Sequence, residues 1–151
     1  MPKIISNTSC LITLERIERI YILKELYNKI IIPKKVEEEF GGKLENWISI
    51  CETSDVKTLK VLKTIVDEGE AEVLTLGTEI KDSLLILDDL KARAVAKGLE
   101  INITGTLGVI LKAKRRGIIK SIKEVLNDLK KVEFRMSEKL KEKMIILSEE
   151  S

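Results

Sequence analysis

Three short apolar segments of the chain each end in a cluster of small polar or acidic side chains. The segments and their clusters are residues 3–6 with Asn7, Thr8 and Ser9, residues 84–87 with Asp88 and Asp89, and residues 100–103 with Thr104, Gly105 and Thr106. Each cluster precedes a helical pattern. If the segments are parallel strands, right-handed crossovers bring the clusters to one edge of a sheet. An acidic pocket at that edge predicts a divalent cation.

The carboxylates carry most of the chemistry that the sequence offers. Asp88 and Asp89 follow an apolar strand, and a buried acidic pair is unfavourable unless cations or protons neutralise it. Oxygen ligands suit magnesium or manganese better than softer metals. The alternative is that Asp89 only caps the next helix while Asp88 is solvated.

Three further motifs allow two interpretations each. Glu70 and Glu72 fall in the first turn of a predicted helix, where acidic side chains favour the positive end of the helix dipole without any role in chemistry. The acidic run 37–39 is typical of a solvated helix face, from which only one side chain can point into a site. Residues 104–108 resemble half of a phosphate-binding loop, but the glycine spacing is incomplete and the lysine is missing.

Composition excludes several classes of site. The 151 residues include no histidine, and Cys10 and Cys51 form no CxxC pair. This argues against a zinc site, a disulfide framework and Ser-His or Cys-His catalysis. Free thiols and the absence of an apolar leader or membrane span predict a cytoplasmic protein. Abundant lysine, glutamate and isoleucine, with no glutamine, are typical of a thermophile.

Positive charge is concentrated in one part of the chain. Residues 112–143 hold twelve basic and five acidic residues, an excess of seven, although the whole chain has a net charge of +2. The remainder is therefore acidic by five. Lys114, Arg115 and Arg116 are the predicted phosphate contacts of this segment, and a solvated helix face is the alternative.

Hydrophobic periodicity predicts a single α/β domain over residues 1–151, with three α/β/α layers around a mostly parallel sheet of four to five strands. We expect strands at residues 3–6, 29–32, 84–87 and 101–103, with a short edge strand near 48–50. The wholly apolar segment 84–87 is expected to be central and covered on both faces. A C-terminal amphipathic helix at about 137–148 places Leu140, Met144 and Leu147 on one face.

An ordered set of motifs carries a family resemblance. The motifs are residues 7–12 (NTSCLI), 32–40 (IPKKVEEEF), 69–72 (GEAE), 87–89 (LDD) with Ala92 and Arg93, and 104–108 (TGTLG). Together they resemble a PIN domain over residues 3 to about 137, most closely the uncharacterised prokaryotic branch related to VapC-type toxins. The order of the set is far more specific than any one motif.

The resemblance implies a magnesium- or manganese-dependent ribonuclease. It assigns the catalytic roles to Glu39, Glu72 and Asp89, with Asp88 and Glu70 as adjacent alternatives. The implied metal ligands are Asp89, Asp88, Glu72, Glu39 and Asn7. Residues expected at the edge of the site are Thr8, Ser9, Glu70, Arg93, Thr104 and Thr106. A bound metal can activate water and stabilise a leaving oxygen without a histidine.

The chain departs from the family pattern at two positions. Asn7 replaces the aspartate usual after the first strand, and Thr104 and Thr106 stand where many PIN nucleases carry another aspartate. A site that lacks one or two charges should hold its metal weakly. A catalytically degenerate PIN-like module that binds nucleic acid or protein is therefore the alternative function.

The resemblance and the last helix suggest three partners. RNA is the implied substrate, but an aromatic content of 3% offers little stacking surface for sequence-specific recognition. The final amphipathic helix can dock on its own domain, on a second copy in a homodimer, or on an antitoxin-like peptide. The sequence does not choose among these.

Overall fold

The computed structural model describes residues 1–149, and its centre is a sheet of five parallel strands. The strands are β1 (Lys3–Ser6), β2 (Ile30–Pro33), β3 (Ile48–Cys51), β4 (Ser83–Ile86) and β5 (Asn102–Thr104). Their order across the sheet is β3-β2-β1-β4-β5, and all four pairings are parallel. This confirms the predicted α/β class, with β3 as the expected edge strand.

Nine helices flank this sheet within residues 1–149, as the predicted three-layer fold requires. They are α1 (Thr8–Arg16), α2 (Tyr21–Tyr27), α3 (Lys34–Phe40), α4 (Val56–Lys63), α5 (Glu68–Glu79), α6 (Leu90–Gly98), α7 (Thr106–Arg115), α8 (Ile122–Lys131) and α9 (Glu138–Leu147). The longest has 12 residues, and no helix of the described chain is long and apolar enough to cross a membrane.

Short polar side chains begin most of the longer helices. A side-chain oxygen accepts the backbone N–H three residues ahead at Asn7, Asp55, Asp89, Ser121 and Ser137. This pairs one of the four amide groups that the first turn leaves without a partner. Helix starts were therefore readable from the sequence.

Helix ends were less regular. Gly41 adopts the left-handed conformation that ends α3, as predicted. A glycine after a helical pattern predicts that Gly98 stops α6, but Gly98 is the last residue of that helix. The turn is made instead by Glu100, whose φ is 60°, so the glycine does not serve the left-handed position here.

The apolar core lies on both faces of the sheet. Strand β4 lies between β1 and β5, and its neighbouring residues Leu85 and Ile86 are both fully buried. Successive strand residues point to opposite faces, so β4 is covered on both sides as its composition predicted.

The strand register brings the predicted clusters together. Ser6 of β1 lies opposite Ile86 of β4, and Ile86 lies opposite Thr104 of β5. The chain therefore leaves all three strands at one edge. This C-terminal edge is where sites form in open parallel sheets.

The last helix packs on its own domain. Helix α9 contacts α7 and α8, and Met144 is only 5% exposed, whereas Leu140 and Leu147 are 37% and 39% exposed. The domain thus covers part of the predicted apolar face.

Candidate active site

A cavity of about 730 Å³ opens at the C-terminal edge of the sheet. Five carboxylates line it, which come from three separate parts of the chain: Glu39, Asp67, Glu70, Asp88 and Asp89. Asn7, Thr8 and Ser9 complete the wall near β1, and Arg16 carries the only positive charge among its lining residues in the described chain. We call this space the acidic cavity.

Asn7 is buried, and both its backbone and its side chain form hydrogen bonds. Its N–H donates to the Ile86 carbonyl at 3.1 Å, and its Oδ1 accepts the N–H of Cys10 at 3.1 Å. The residue is 3% exposed. Burial raises the pKa of the neighbouring Cys10 thiol to about 12, and Asp88 adds to that effect, so this thiol stays neutral.

Glu39 enters the cavity from the end of α3. Its Oε1 accepts a hydrogen bond from the Thr8 hydroxyl at 2.6 Å. The same oxygen lies against Gly69, where an added Cβ would be only 2.5 Å away. The missing side chain at Gly69 therefore lets the carboxylate approach the start of α5.

Asp88 and Asp89 are each bound to the start of a helix. Both oxygens of Asp88 are engaged by Thr106 of α7, with its N–H at 2.8 Å and its hydroxyl at 2.6 Å. Asp89 accepts the N–H of Ala92 at 2.9 Å and begins α6. Asp89 therefore caps α6, but it also lines the cavity, and Asp88 is bound by Thr106, so the alternative that Asp89 only caps a helix beside a solvated Asp88 is not what the structure shows.

Glu70 accepts no hydrogen bond from residues 1–149, unlike Glu39, Asp88 and Asp89. Partial burial raises the pKa of its carboxyl to about 7, and the negative charge of Asp89 contributes next. The further contributions come from Asp67, Glu39 and Asp88. The acidic cavity therefore gathers more negative charge than its own residues neutralise.

Glu72 does not line the acidic cavity. Its Oε1 accepts the backbone N–H of Lys35 at 3.1 Å and so caps α3 from α5. Side chains two positions apart on a helix do not face the same way. Glu70 consequently faces the cavity, while Glu72 faces the helix that carries Glu39.

Three other residues predicted at the edge of the site, Arg93, Thr104 and Thr106, do not line the acidic cavity. Arg93 donates from Nη1 to the Leu87 carbonyl at 2.7 Å. With Thr104, it lines a second cavity next to the first. Thr106 acts on the site through Asp88. The predicted edge thus extends beyond the acidic cavity.

The predicted phosphate contacts at the end of α7 lie elsewhere. Lys114, Arg115 and Arg116 line neither cavity. Lys114 donates from Nζ to the Lys120 carbonyl at 2.6 Å, and Arg115 donates from Nη2 to the Leu147 carbonyl at 3.4 Å. The first contact lies in the connection between α7 and α8, and the second joins α7 to the end of α9.

Sequence reasoning missed Asp67 and the helix wall formed by Thr13 and Arg16. Asp67 stands directly before α5, a position that signals a helix start and not a site. Ser9, Thr13 and Arg16 follow a four-then-three spacing that places them on one helix face. That spacing was the available signal for the wall.

The donor chemistry fits a hard divalent cation. Carboxylate and amide oxygens are the ligands that magnesium and manganese prefer, and ionised carboxylates can accept several partners each. Within residues 1–149, however, no three acidic or thiol side chains lie close enough together to coordinate one metal ion. Binding would therefore require the side chains to move inward.

Comparison with known proteins agrees with this architecture. A family model described as a PIN domain matches residues 3–150, which is nearly the whole chain. No curated protein and no solved structure matches it. The family match spans every strand of the sheet and all five cavity carboxylates. The chain belongs to the PIN domain family.

Proposed function

We propose that this protein is a metal-dependent endoribonuclease that uses magnesium or manganese. The observation that carries the proposal is the acidic cavity, in which five carboxylates meet at the C-terminal edge of the sheet. PIN domains are generally associated with nuclease activity, and this supports the same reaction class.

Glu39, Glu70, Asp88 and Asp89 are the proposed metal-holding residues. When bound, a divalent cation activates water and stabilises charge on a phosphodiester. Glu70 takes the place that the resemblance assigned to Glu72, because Glu70 lines the cavity and accepts no hydrogen bond from the part of the chain that the structure describes. Glu72 is instead a positioning residue that caps the helix carrying Glu39.

The surrounding residues orient these carboxylates. The Thr8 hydroxyl holds Glu39, and Thr106 holds both oxygens of Asp88. These hydrogen bonds keep Glu39 and Asp88 at the border of the acidic cavity. Arg16 is exposed and lines the same cavity, where its guanidinium can bind a phosphate oxygen.

A specific observation favours the alternative of a degenerate binding module. Asn7 contributes no charge, and its amide oxygen already caps α1. A weak metal site would leave a domain that binds RNA without cutting it. RNA binding that is insensitive both to metal and to Asp89→Ala supports this alternative.

The deciding experiment compares two helix-capping aspartates. Single-stranded and structured RNA are incubated with manganese, magnesium or a chelator, and with wild type, Asp89→Asn or Asp55→Asn. Asparagine caps helices about as well as aspartate, so both variants should fold. Asp55 caps α4 through the Thr58 N–H at 3.1 Å and does not line the acidic cavity.

We expect wild type and Asp55→Asn to cleave RNA only with metal. Asp89→Asn should lose at least about 100-fold, because a metal supplies several kcal/mol and each 1.36 kcal/mol is a factor of ten. No metal-dependent cleavage, or cleavage equal in Asp89→Asn, would overturn the proposed activity.

A further inference from the structure

A second cavity of about 820 Å³ adjoins the acidic cavity. The two share Ser9, Thr13, Arg16 and Asp88 in their linings, so one face of α1 forms a wall of both. The far side of the second cavity is made by the segment after α8 and the start of α9. We call it the arginine groove.

The charge of the groove is opposite to that of the acidic cavity. Arg16, Arg93 and Arg135 line it. Its acidic residues in the described chain are Glu133 and Asp88, and Asp88 is already bound by Thr106. Arg16 and Arg135 are exposed and form no ion pair within residues 1–149, so both guanidinium groups are available to an anion.

Apolar surface lies beside these charges. Phe134 is half-buried and lines the groove, with Leu140 and Leu90 at 37% and 83% exposure. The turn that presents this phenylalanine is fixed, because its N–H donates to the Leu129 carbonyl at 3.0 Å and Glu133 has a φ of 62°. An aromatic ring next to arginines is a surface on which a nucleic-acid base can stack.

We propose that the arginine groove binds the part of a single-stranded RNA that flanks the phosphodiester in the acidic cavity. Arg16 and Arg135 would hold backbone phosphates, and Phe134 would stack on a base. This inference rests on the proposed function for its choice of RNA. It adds a binding site that adjoins the acidic cavity and does not include the basic end of α7.

RNA fits the two adjoining cavities better than an acidic peptide does. Guanidinium groups bind phosphate and carboxylate alike, so the arginines alone do not distinguish the two ligands. A peptide that continued its carboxylates along α1 would meet the five carboxylates of the acidic cavity and be repelled. A phosphodiester strand also offers bases to Phe134.

The test measures RNA binding without cleavage. Fluorescence anisotropy with a labelled single-stranded oligonucleotide in chelator compares wild type with Arg16→Ala, Arg135→Ala, Phe134→Leu and Lys60→Ala. Lys60 is exposed on α4 and lines neither cavity, so its variant controls for the loss of one positive charge. Arg116→Ala tests the competing basic surface.

We expect each groove arginine variant to weaken binding about tenfold, the lower range for hydrogen bonds to charged groups. Each should also reduce the slope of log affinity against log salt by about 0.7. Phe134→Leu should weaken binding with the salt slope unchanged, and Lys60→Ala should stay within about twofold of wild type.

Two outcomes would overturn the groove assignment. One is wild-type affinity in both arginine variants, or a larger loss in Arg116→Ala. The other is an oligoglutamate peptide that binds more tightly than RNA and depends on Arg135, which would make the groove a peptide site.

A separate assay keeps the failure of this inference apart from the failure of the proposed function. Hydrolysis of bis(p-nitrophenyl) phosphate with manganese, by wild type and Asp89→Asn, tests the acidic cavity with a substrate that carries no nucleotides. If wild type shows no manganese-dependent hydrolysis, or Asp89→Asn hydrolyses the compound equally well, while RNA binding still depends on the groove arginines, only the nuclease is rejected.

Discussion

The acidic cavity and the arginine groove share one wall but are built in different ways. The cavity draws its charge from the ends of strands and the starts of helices, where Asp88 and Asp89 are fixed by backbone N–H groups. The groove draws its charge from side chains such as Arg16 and Arg135, which are exposed on the rims of α1 and the 132–135 segment. The first is imposed by the topology, whereas the second depends on which side chains border it.

This difference separates two functions on one surface. Carboxylates gathered at strand ends and helix starts suit metal-dependent chemistry, since the backbone places several oxygen ligands around one space. Exposed arginines suit strand binding, because flexible charged side chains can follow a variable backbone. Changes in the cavity should therefore alter cleavage, and changes in the groove should alter affinity.

The largest effect is expected when one negative charge of the acidic cavity is removed. Glu39→Gln should reduce metal-dependent RNA cleavage by at least about 100-fold, because the carboxylate is a proposed metal-holding group. Glu38→Gln is the matched control, since Glu38 is exposed, does not line the acidic cavity and pairs with Lys35 at 3.9 Å. Equal cleavage by the two variants in a single-turnover assay would contradict the assignment.

The support of Asp88 can be weakened without changing any charge. Thr106→Val removes the hydroxyl that donates to Asp88, so we expect about a tenfold loss of cleavage and about 1–2 kcal/mol less stability. Thr75→Val is the control, because Thr75 is also buried but its hydroxyl donates to the Ala71 carbonyl at 2.8 Å.

Cleavage rates and urea unfolding curves of both threonine variants separate the two effects. A purely structural role for Thr106 would make the variants similar in both measurements. That result would remove Thr106 from the site.

Adding a negative charge to the acidic cavity should strengthen its binding of manganese. Asn7→Asp keeps a helix-capping residue but places a carboxylate at a position that is 3% exposed. In chelator we expect the variant to be less stable than wild type by about 1 kcal/mol. With manganese the order should reverse, because a tenfold tighter site adds about 1.4 kcal/mol.

Thermal unfolding in chelator and in manganese measures both changes for wild type and variant. If manganese raises the melting temperature equally in both proteins, the added carboxylate does not reach a metal. Asn7 then lies outside the metal site.

The smallest expected effect concerns pH and Glu70. Burial and its acidic neighbours raise the pKa of this carboxyl from 4.5 to about 7 in the folded protein. The folded state thus binds the proton more tightly, so wild type loses stability as pH rises from about 4.5 through 7. Glu70→Gln has no such charge, and it should be the more stable protein at pH 8 and equal to wild type at pH 4.

Because Glu70 is half-exposed, screening limits this gain to about 0.5–1 kcal/mol. Urea unfolding at pH 4, 6 and 8 checks it, and Glu142→Gln, exposed on α9, should follow wild type at each pH. A gain at pH 8 no larger than that of Glu142→Gln would show that Glu70 experiences no net repulsion.

The fold could be predicted largely because the strands are short and apolar and the helices begin at good capping residues. The gathering of Asn7, Asp88 and Thr104 at one sheet edge follows from parallel register alone. The prediction that Gly98 stops α6 was wrong, because the residue in the left-handed conformation is Glu100, two positions later. Propensity does not fix which residue of a turn adopts that conformation.

The site was less predictable because it depends on rotation about helix axes. Choosing between Glu70 and Glu72 required the packing of α5 against α3, which no local pattern encodes. The groove arises where the segment after α8 returns to α1, a contact between positions far apart in sequence. The homodimer and the antitoxin-like partner remain predictions.

The most direct test of the account is a crystal structure of the protein grown with manganese, with data collected for the anomalous signal of the metal. We expect an anomalous peak inside the acidic cavity, with Glu39, Glu70 and at least one of Asp88 and Asp89 turned toward it. A peak elsewhere on the protein, or an empty cavity with Asp88 and Asp89 still bound only to Thr106 and Ala92, would contradict it.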